Sequence, residues 1–344
     1  MSCPRGILTS MIQHQNKILH TRPLKAAIGA VAVAAVLAAP VSANAGAPTV
    51  HVRVFARTGL RLTGIVWTGQ QFLYVDNTTN RVAVAGPSGT PLKPFAAMPR
   101  QVEETRCRPS PGAHGFAAGD IYCHAPDNRI YRLSADGRSV SLFATLPHSS
   151  RSDGALAFDT VGSFGYALIA ATGRSGSATP RGGAVFAIDP MGRVRRIGGY
   201  DTPGGADELA IAPAGFGSAS GQALLAVDSG KQGDLVAMDP RGRARTLLTL
   251  PDGLNPIVVL APGQTPPRGP AQPGLYITDT LSRNVFVAPS AELAPFAGAV
   301  VVGSELHARF WAVRPRGSGF AATPLPTDLT GKSYNLEDAT YIAG

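Results

Sequence analysis

One apolar segment recurs along the chain at a nearly constant spacing. Each copy ends at a turn and is followed by a second apolar segment, and the copies occupy residues 156–159, 209–213, 258–262 and 310–315. A repeat of roughly 50 residues, as these positions show, is typical of folds that arrange one supersecondary unit around an axis or along a stack. The spacing therefore predicts a repeat architecture.

Each repeat unit predicts four short strands. The clearest unit has its strands at residues 209–213, 223–228, 235–239 and 245–250. Between its third and fourth strands, Pro240 presets one turn position and Gly242 supplies the positive φ that a tight hairpin needs. The same turn chemistry recurs at residues 86–89, 135–137 and 189–192. Five complete units are predicted, and they begin near residues 62, 103, 153, 207 and 255.

The sixth unit is predicted from both ends of the chain. Residues 310–315, 319–324 and 339–343 are assigned to its first, second and third strands, and the N-terminal segment 51–57 supplies the fourth. Residues 314–317 resemble the turn between a third and a fourth strand. They follow the preceding copy of that turn, at 288–291, after far fewer residues than the repeat period, so the period assigns them to the link between a first and a second strand. Closure by an N-terminal strand leaves no open edge between blades. We predict an all-β, six-bladed β-propeller with four antiparallel strands per blade and the last blade closed by the N-terminal strand.

Two other architectures fit the sequence less well. The alternatives are a β-sandwich, which gives no reason for so regular a period, and a solenoid. The apolar runs are short and show no helical periodicity.

The first 45 residues differ from the rest of the chain. Four Lys or Arg residues and no acid precede residue 26, an apolar run follows at 26–39, and small residues surround Ala45. This order is typical of a secretory signal peptide cleaved after Ala45, whereas a membrane anchor needs a longer run of about 20 apolar residues. We therefore expect a signal peptide at 1–45 and a propeller domain at 46–344. The mature chain is expected to have no membrane span and to be secreted, periplasmic or attached at the cell surface.

Charge and cysteine content narrow the function classes. Removal of the four cations of the leader lowers the net charge from +9 to +5, and the remaining basic residues are scattered, which argues against a nucleic-acid partner. Cys107 and Cys123 remain as a pair in an exported chain. They fall in the first and second strands of one unit, where they are close enough to form a disulfide. A disulfide and a pair of buried thiols remain alternatives, and the role of the two cysteines is structural in either case.

Residues that open the first strand of each unit are expected to meet at one mouth of the central channel. At this position the sequence places Thr63, Glu103 or Glu104, Asp153, Asp207 or Glu208, Asn255, and His307 or Arg309. Such an oxygen-rich set suits a hard divalent cation. Turn capping explains any single acid, but several like charges in a channel repel unless a cation or a basic partner intervenes. Cation binding and capping both stay open.

Residues at the ends of the second strands should reach the same mouth. Asp76, His124, Asp228 and Asp279 hold this position, and Asn77 and Arg283 follow in the adjoining loops. An aspartate there commonly closes the turn, whereas His124 occupies a position that Asp holds in three other units. We predict ligand contacts from His124, Asp228, Asp279, Asn77 and Arg283. His148, in the loop that enters the third unit, is a candidate for acid–base work.

Two motifs carry a resemblance to a known family. Residues 153–157 (Asp-Gly-Ala-Leu-Ala) and 274–279 (Gly-Leu-Tyr-Ile-Thr-Asp), with the strand rhythm of 50–344, resemble the propellers of the gluconolactonase and senescence-marker-protein group. NHL-repeat and strictosidine-synthase-like propellers are more loosely similar. The resemblance implies lactone hydrolysis with a channel cation held by Glu, Asn and Asp. In that family the Glu belongs to a Glu-Gly-Pro stretch, and Thr63 stands in its place here.

Two functional hypotheses follow. The first is a hydrolase of lactones or related small esters that uses one divalent cation (Ca²⁺, Mg²⁺, Mn²⁺ or Zn²⁺) to polarise the carbonyl. Its predicted metal ligands are Glu103, Asp153, Glu208 and Asn255, and its predicted catalytic residues are Asp153, Asp207 and His148. The second is a non-catalytic propeller that binds a small molecule or a protein partner at the same mouth.

Overall fold

The computed structural model describes residues 48–79, 81–99, 104–147, 154–172, 181–260 and 271–343. Within these ranges the chain forms strands and two single-turn 3-10 helices, Gly217–Ala219 and Ala294–Phe296. In chain order the strands are β1 (Arg53–Arg57), β2 (Leu62–Trp67), β3 (Phe72–Asp76), β4 (Arg81–Ala85), β5 (Lys93–Ala97), β6 (Arg106–Pro109), β7 (Ile121–His124), β8 (Arg129–Leu133), β9 (Val140–Thr145), β10 (Leu156–Phe158), β11 (Leu168–Thr172), β12 (Arg181–Ile188), β13 (Val194–Pro203), β14 (Gly205–Ile211), β15 (Ala223–Asp228), β16 (Gly233–Met238), β17 (Ala244–Leu250), β18 (Leu254–Val259), β19 (Gly274–Asp279), β20 (Asn284–Pro289), β21 (Val300–Ser304), β22 (Phe310–Arg316), β23 (Gly319–Leu325) and β24 (Leu336–Ile342).

These strands form six antiparallel four-stranded sheets, which are the blades of a β-propeller. The first four blades contain β2–β5, β6–β9, β10–β13 and β14–β17, with each strand paired to the next along the chain. The six-bladed fold and the four-strand unit are therefore confirmed. In the fourth blade β15 is almost entirely buried, whereas most residues of the outermost strand β17 are exposed or half-buried. Neighbouring blades cover both faces of the inner strands, which explains why those strands are continuously apolar.

The fifth and sixth blades are interleaved along the chain. The innermost strand of the fifth blade, β18, pairs with β21, and β22 and β23 complete that sheet. The intervening pair β19 and β20 belongs to the sixth blade, between β24 on its inner edge and β1 on its outer edge. The predicted closure of the last blade by the N-terminal strand is confirmed.

This interleaving corrects the strand assignment of the last two predicted units, since residues 275–279, predicted as the second strand of the fifth unit, lie in the sixth blade. The segment 310–315 lies in β22, the third strand of the fifth blade, and 319–324 lies in β23, its fourth strand. Residues 314–316 therefore end β22 and pair with β23, and the third-to-fourth turn lies at Gly317 and Ser318. The constant repeat period gave the wrong strand assignment because β19 and β20 are inserted between the first and second strands of the fifth blade. The C-terminal β24 is an innermost strand and not a third strand.

Buried apolar clusters between adjacent blades hold the ring together. Between the first and sixth blades, Phe72 lies 4.7 Å from Tyr276 and 5.1 Å from Phe55 of β1, measured between ring centroids. Each fully buried side chain of this size contributes about 1.5–3 kcal/mol. In the second blade, Cys107 and Cys123 face each other across β6 and β7 and form a disulfide. The described part of the chain contains no helix with the length and apolar character that crossing a bilayer requires.

Candidate functional site at the channel mouth

The innermost strands β2, β6, β10, β14, β18 and β24 all begin at one end of the channel, called here the mouth. Thr63, Glu208 and Asn255 are buried there, as their strand positions predict. The sixth blade contributes Glu337 and Asp338 of β24, both buried. The prediction of His307 or Arg309 at this position was wrong, because β22 is not an innermost strand. Those two side chains instead pair with Asp252, at 2.9 and 3.0 Å.

Two arginines of β6 lie among the carboxylates of the channel. Arg106 is fully buried, and its guanidinium lies 3.0 Å from Glu337 and 3.5 Å from both Glu104 and Glu208. Burial opposes its charge, but the carboxylates around it raise the pKa of Arg106 above its usual range, so it stays protonated. The basic partner that like charges in a channel require is therefore supplied by the protein itself.

Arg108 ties a second pair of carboxylates together. Its Nη2 donates to Oε1 of Glu208 at 2.7 Å, and its Nη1 lies 3.3 Å from Oδ2 of Asp338. Asp338 also accepts hydrogen bonds from the backbone N–H groups of Ile65 and Ala339, at 2.9 and 2.8 Å. An innermost strand pairs along one edge only, so the amides on its free edge need acceptors such as these. The carboxylates therefore connect the first, second, fourth and sixth blades.

Burial shifts the protonation of the channel acids. It raises the pKa of Glu208 to about 8, against the opposing effect of Arg108 and Arg106. It likewise raises the pKa of Glu337 to about 8, with Glu104 adding to the shift and Arg106 opposing it. Burial thus favours the protonated forms of Glu208 and Glu337, whereas the two arginines favour their carboxylate forms.

The predicted metal set is only partly brought together. Glu208 and Asn255 are linked in the channel through Glu337 and Arg106. Asn255 Nδ2 donates a hydrogen bond to Glu337 at 3.2 Å, and Arg106 forms ion pairs with both Glu337 and Glu208. A guanidinium thus occupies the position next to Glu208 where a cation was expected. Glu103, Asp153 and His148 lie outside the described residues.

Several buried polar atoms in the channel have no hydrogen-bond partner among the described residues. They are Oγ1 of Thr63, Oγ1 of Thr105 and Oδ1 of Asn255. Buried polar atoms are almost always satisfied by protein, water or ligand. Thr63 thus places a hydroxyl where the resemblance implies a metal-binding Glu.

A second group of carboxylates, the acidic trio, lies nearer the surface of the mouth. Asp207 of β14, Asp228 at the end of β15 and Glu305 directly after β21 each offer one oxygen, and these oxygens all lie within 4.8 Å of one another. Burial, together with the charge and the hydrogen bond of Asp228, raises the pKa of Glu305 to about 7. Among the described residues, neither Asp228 nor Glu305 forms an ion pair with a basic side chain.

A glycine in the backbone beside the acidic trio leaves space for the carboxylate of Asp228. A Cβ on Gly253 would overlap the carboxylate of Asp228 and displace it, so glycine leaves this acid its position. Asp207 and Asp228 were predicted from the sequence as residues of the mouth. Glu305 was not predicted, because the strand before it was not recognised. The signal that could have found it is an acid directly after the apolar run Val300–Ser304.

Two predicted ligand contacts are contradicted by burial. His124 is fully buried, its Nδ1 lies 3.2 Å from the carbonyl oxygen of Ala155, and burial lowers its pKa to about 4. Asp279 is also fully buried and accepts hydrogen bonds from the backbone N–H groups of Ser282 and Asn335, at 2.9 and 2.8 Å. Both side chains therefore stabilise loops instead of facing a ligand.

The other two predicted contacts lie apart from the acidic trio. Asn77 is half-buried, and its Oδ1 accepts a hydrogen bond from the backbone N–H of Glu104 at 3.0 Å. Arg283 is exposed in the β19–β20 turn, and its Nη1 lies 3.5 Å from the carbonyl oxygen of Gly59. Of the five predicted ligand contacts, only Asp228 belongs to the trio.

Comparison with known proteins returns structural similarity only. No family model matches the chain, and no curated protein matches its sequence. A nidogen/laminin complex is 11% identical with a TM-score of 0.48, over 81% of this chain and 84% of that one. A provisionally named gluconolactonase is 13% identical with a TM-score of 0.42, over 83% and 80%. The hydrazine synthase of Kuenenia stuttgartiensis is 12% identical with a TM-score of 0.46, over 81% and 70%.

Proposed function

We propose that the acidic trio binds one divalent cation and that the protein hydrolyses a lactone or a related small ester at the channel mouth. The observation that carries this proposal is the convergence of Asp207, Asp228 and Glu305 from two blades, with ligand oxygens within 4.8 Å of one another. Oxygens that bind one Ca²⁺ at 2.3–2.6 Å lie at most about 5 Å apart, whereas Mg²⁺ requires a tighter set. The spacing therefore fits a Ca²⁺ ion.

The residues around the trio have separate roles in this proposal. A bound cation polarises the substrate carbonyl and lowers the pKa of a water molecule. Arg106 and Arg108 neutralise the inner carboxylates, so the cation is directed to the trio at the surface of the mouth.

A non-catalytic binding role at the same mouth is the second candidate. It is favoured by the ion pairs of Glu208, since a carboxylate already bound to two arginines is a poor metal ligand or base. In this case a small molecule or a protein partner occupies the mouth, and any cation is structural. The exported location that the leader predicts, in an oxidising compartment, suits the Cys107–Cys123 disulfide under either role.

The experiment is a calcium titration followed by an activity assay. Isothermal titration of chelator-treated protein should give one Ca²⁺ site, and Asp228→Asn or Glu305→Gln should weaken it at least tenfold. Asp76→Asn is the matched control: Asp76 also ends a second strand, but its carboxylate is hydrogen-bonded by Thr78 and Thr79 of its own turn. Absence of a site in the parent protein would refute the metal proposal.

Hydrolysis of γ- and δ-lactones, followed in a pH-stat with and without Ca²⁺, Mn²⁺ or Zn²⁺, then separates the two candidates. Metal-dependent turnover lost in Asp228→Asn but kept in Asp76→Asn supports the hydrolase. A calcium site without turnover supports the binding role. The intact mass of the exported protein tests cleavage after Ala45.

A further inference from the structure

Arginines from three successive blades gather on the outer rim of the ring, at the end opposite the mouth. The strands of a blade alternate in direction, so the turns between third and fourth strands lie at this end, on the outside of the ring. In the second, third and fourth blades the glycine of this turn is followed directly by an arginine. The surface, called here the basic rim, consists of Arg138, Arg193, Arg195, Arg196, Arg241, Arg243 and Arg245, all of which are exposed.

The basic rim holds most of the charge excess of the propeller. Residues 136–138, 189–196 and 239–245 contain seven arginines, no lysine and three aspartates, which is an excess of four positive charges. Residues 46–344 together carry a net charge of +5. Basic residues that are scattered along the sequence are therefore concentrated in space. Arginine presents a planar fork of donors that matches the two oxygens of a carboxylate.

An aspartate orients one arginine in each of two neighbouring hairpins. Arg193 Nε donates to Oδ2 of Asp189 at 2.6 Å, and Arg243 Nε donates to Oδ2 of Asp239 at 2.7 Å. The side chains of Arg193 and Arg243 are 80% and 74% exposed. Because each aspartate binds through Nε, the Nη groups of both arginines can still donate to a further anion. The third and fourth blades thus present two guanidinium groups in the same local arrangement.

The two hairpins are in contact, so their arginines form one continuous surface. Gly242 packs against the backbone of Ile197 in β13 so closely that an added Cβ would overlap its carbonyl oxygen. Arg195 lies on the side of β13 that faces this turn, because its cross-strand partner Ala187 packs between the third and fourth blades. Within the described ranges, neither Arg195 nor Arg241 forms an ion pair with an acid.

A pair of stacked aromatic rings adjoins the basic rim. The rings of His114, in the β6–β7 loop, and Tyr166, in the β10–β11 loop, are parallel, and their centroids lie 3.6 Å apart. Both residues are exposed. Gly115 lies against Pro190, so the ring pair is beside the hairpin of the third blade. Sugar rings can pack their C–H faces on exposed aromatic rings, which are large apolar surfaces. Rings next to guanidinium groups therefore suit a polymer of acidic sugars.

We propose that the basic rim binds an acidic polysaccharide, a chain of sugars that carry carboxylate groups. Such a polymer offers anions at regular intervals to arginines that recur from blade to blade, and a flexible chain can follow the curved outside of the ring. A flat bilayer or a stiff nucleic-acid duplex contacts only part of a convex rim. The binding needs no cation at the mouth, so the proposal goes beyond the function argued there and stands without it.

Isothermal titration with polygalacturonate oligomers at low salt tests the proposal. EDTA is present throughout, so that no cation at the mouth or between carboxylates contributes. We expect saturable binding that weakens as the salt concentration rises, because neutralised charges release counterions, and no binding of the neutral polymer dextran. Absence of saturable binding, or tighter binding of duplex DNA or of phosphatidylglycerol vesicles, would overturn the proposal.

Variants at exposed positions provide the second test. Arg195→Gln/Arg241→Gln should weaken polygalacturonate binding by about tenfold or more. The matched control Arg57→Gln/Arg81→Gln removes the same charge from exposed arginines at the mouth end of the sixth and first blades, and should change binding less than about twofold.

Tyr166→Ala should weaken binding about threefold at low and at high salt, because the ring contributes without charge. Circular dichroism confirms that each variant is folded. Equal losses in the two double variants would show that binding follows net charge alone and would overturn the proposal, as would unchanged binding in Tyr166→Ala.

Discussion

Replacement of His124 by asparagine should remove a specific loss of stability in acid. The imidazole is fully buried and its Nδ1 lies 3.2 Å from the carbonyl oxygen of Ala155, a partner that the asparagine amide can keep. Burial lowers the pKa of His124 to about 4 in the folded protein, whereas an unfolded histidine titrates near pH 6.5. Between these values the unfolded chain binds the additional proton, so the free energy of unfolding falls as the pH falls from 6.5 towards 4.

The magnitude follows from the size of this shift. Each pH unit inside the window costs about 1.4 kcal/mol, which gives about 2 kcal/mol between pH 7.5 and pH 5.0 and about 3 kcal/mol across the whole window. Above about pH 7.5 the histidine is neutral in both states and contributes no pH dependence. Asparagine does not titrate, so the variant should lack this part of the acid sensitivity.

Urea denaturation at pH 7.5 and 5.0 measures the difference. The parent protein should lose about 2 kcal/mol more than His124→Asn between the two pH values. His51→Asn, at an exposed histidine, is the matched control and should behave as the parent does. If the parent and His124→Asn show the same pH dependence, the neutral buried histidine is not the source of acid sensitivity and the reasoning fails.

Three further predictions concern the mouth and the second blade. Gly253→Ala should push the Asp228 carboxylate aside and weaken Ca²⁺ binding about tenfold in calorimetry, while Gly86→Ala, where an added Cβ meets nothing within 4 Å, should not. Arg106→Met leaves buried carboxylates without their counter-ion, so it should lower the free energy of unfolding by about 3–5 kcal/mol in urea; a loss below about 1 kcal/mol would contradict the ion-pair interpretation. Replacing Cys107 and Cys123 together by alanine should cost about 3 kcal/mol, since the disulfide closes a loop with a sequence separation of 16; equal urea midpoints of variant and parent would refute it.

Local turn chemistry explains why most of the fold is predictable from the sequence. Pro240 and Gly242 fix a hairpin through their own backbone preferences, and the same residues recur in other blades. The pairing of β18 with β21 has no such local signal, because strand partners are chosen by packing across many residues. A constant period assumes that blades follow one another along the chain, and this assumption fails at the fifth blade.

The site was harder to predict for a related reason. Strand starts at Asp207, Glu208 and Asn255 could be placed by alignment of the repeats, but Glu337 and Asp338 depend on the position of β24 in the ring. Arg106 resembles any other basic residue at a strand start. Its role as the counter-ion of Glu337 becomes evident only when the second and sixth blades meet in space.

The interleaved fifth and sixth blades also constrain how the chain can fold. The β19–β20 pair cannot be enclosed until both terminal strands arrive, β1 from one end of the chain and β24 from the other. Contacts between segments so distant in sequence slow folding, because the loop-closure entropy is spent before the contacts form. We therefore expect the last third of the ring to assemble late and as one cooperative step, without a stable intermediate that contains five finished blades.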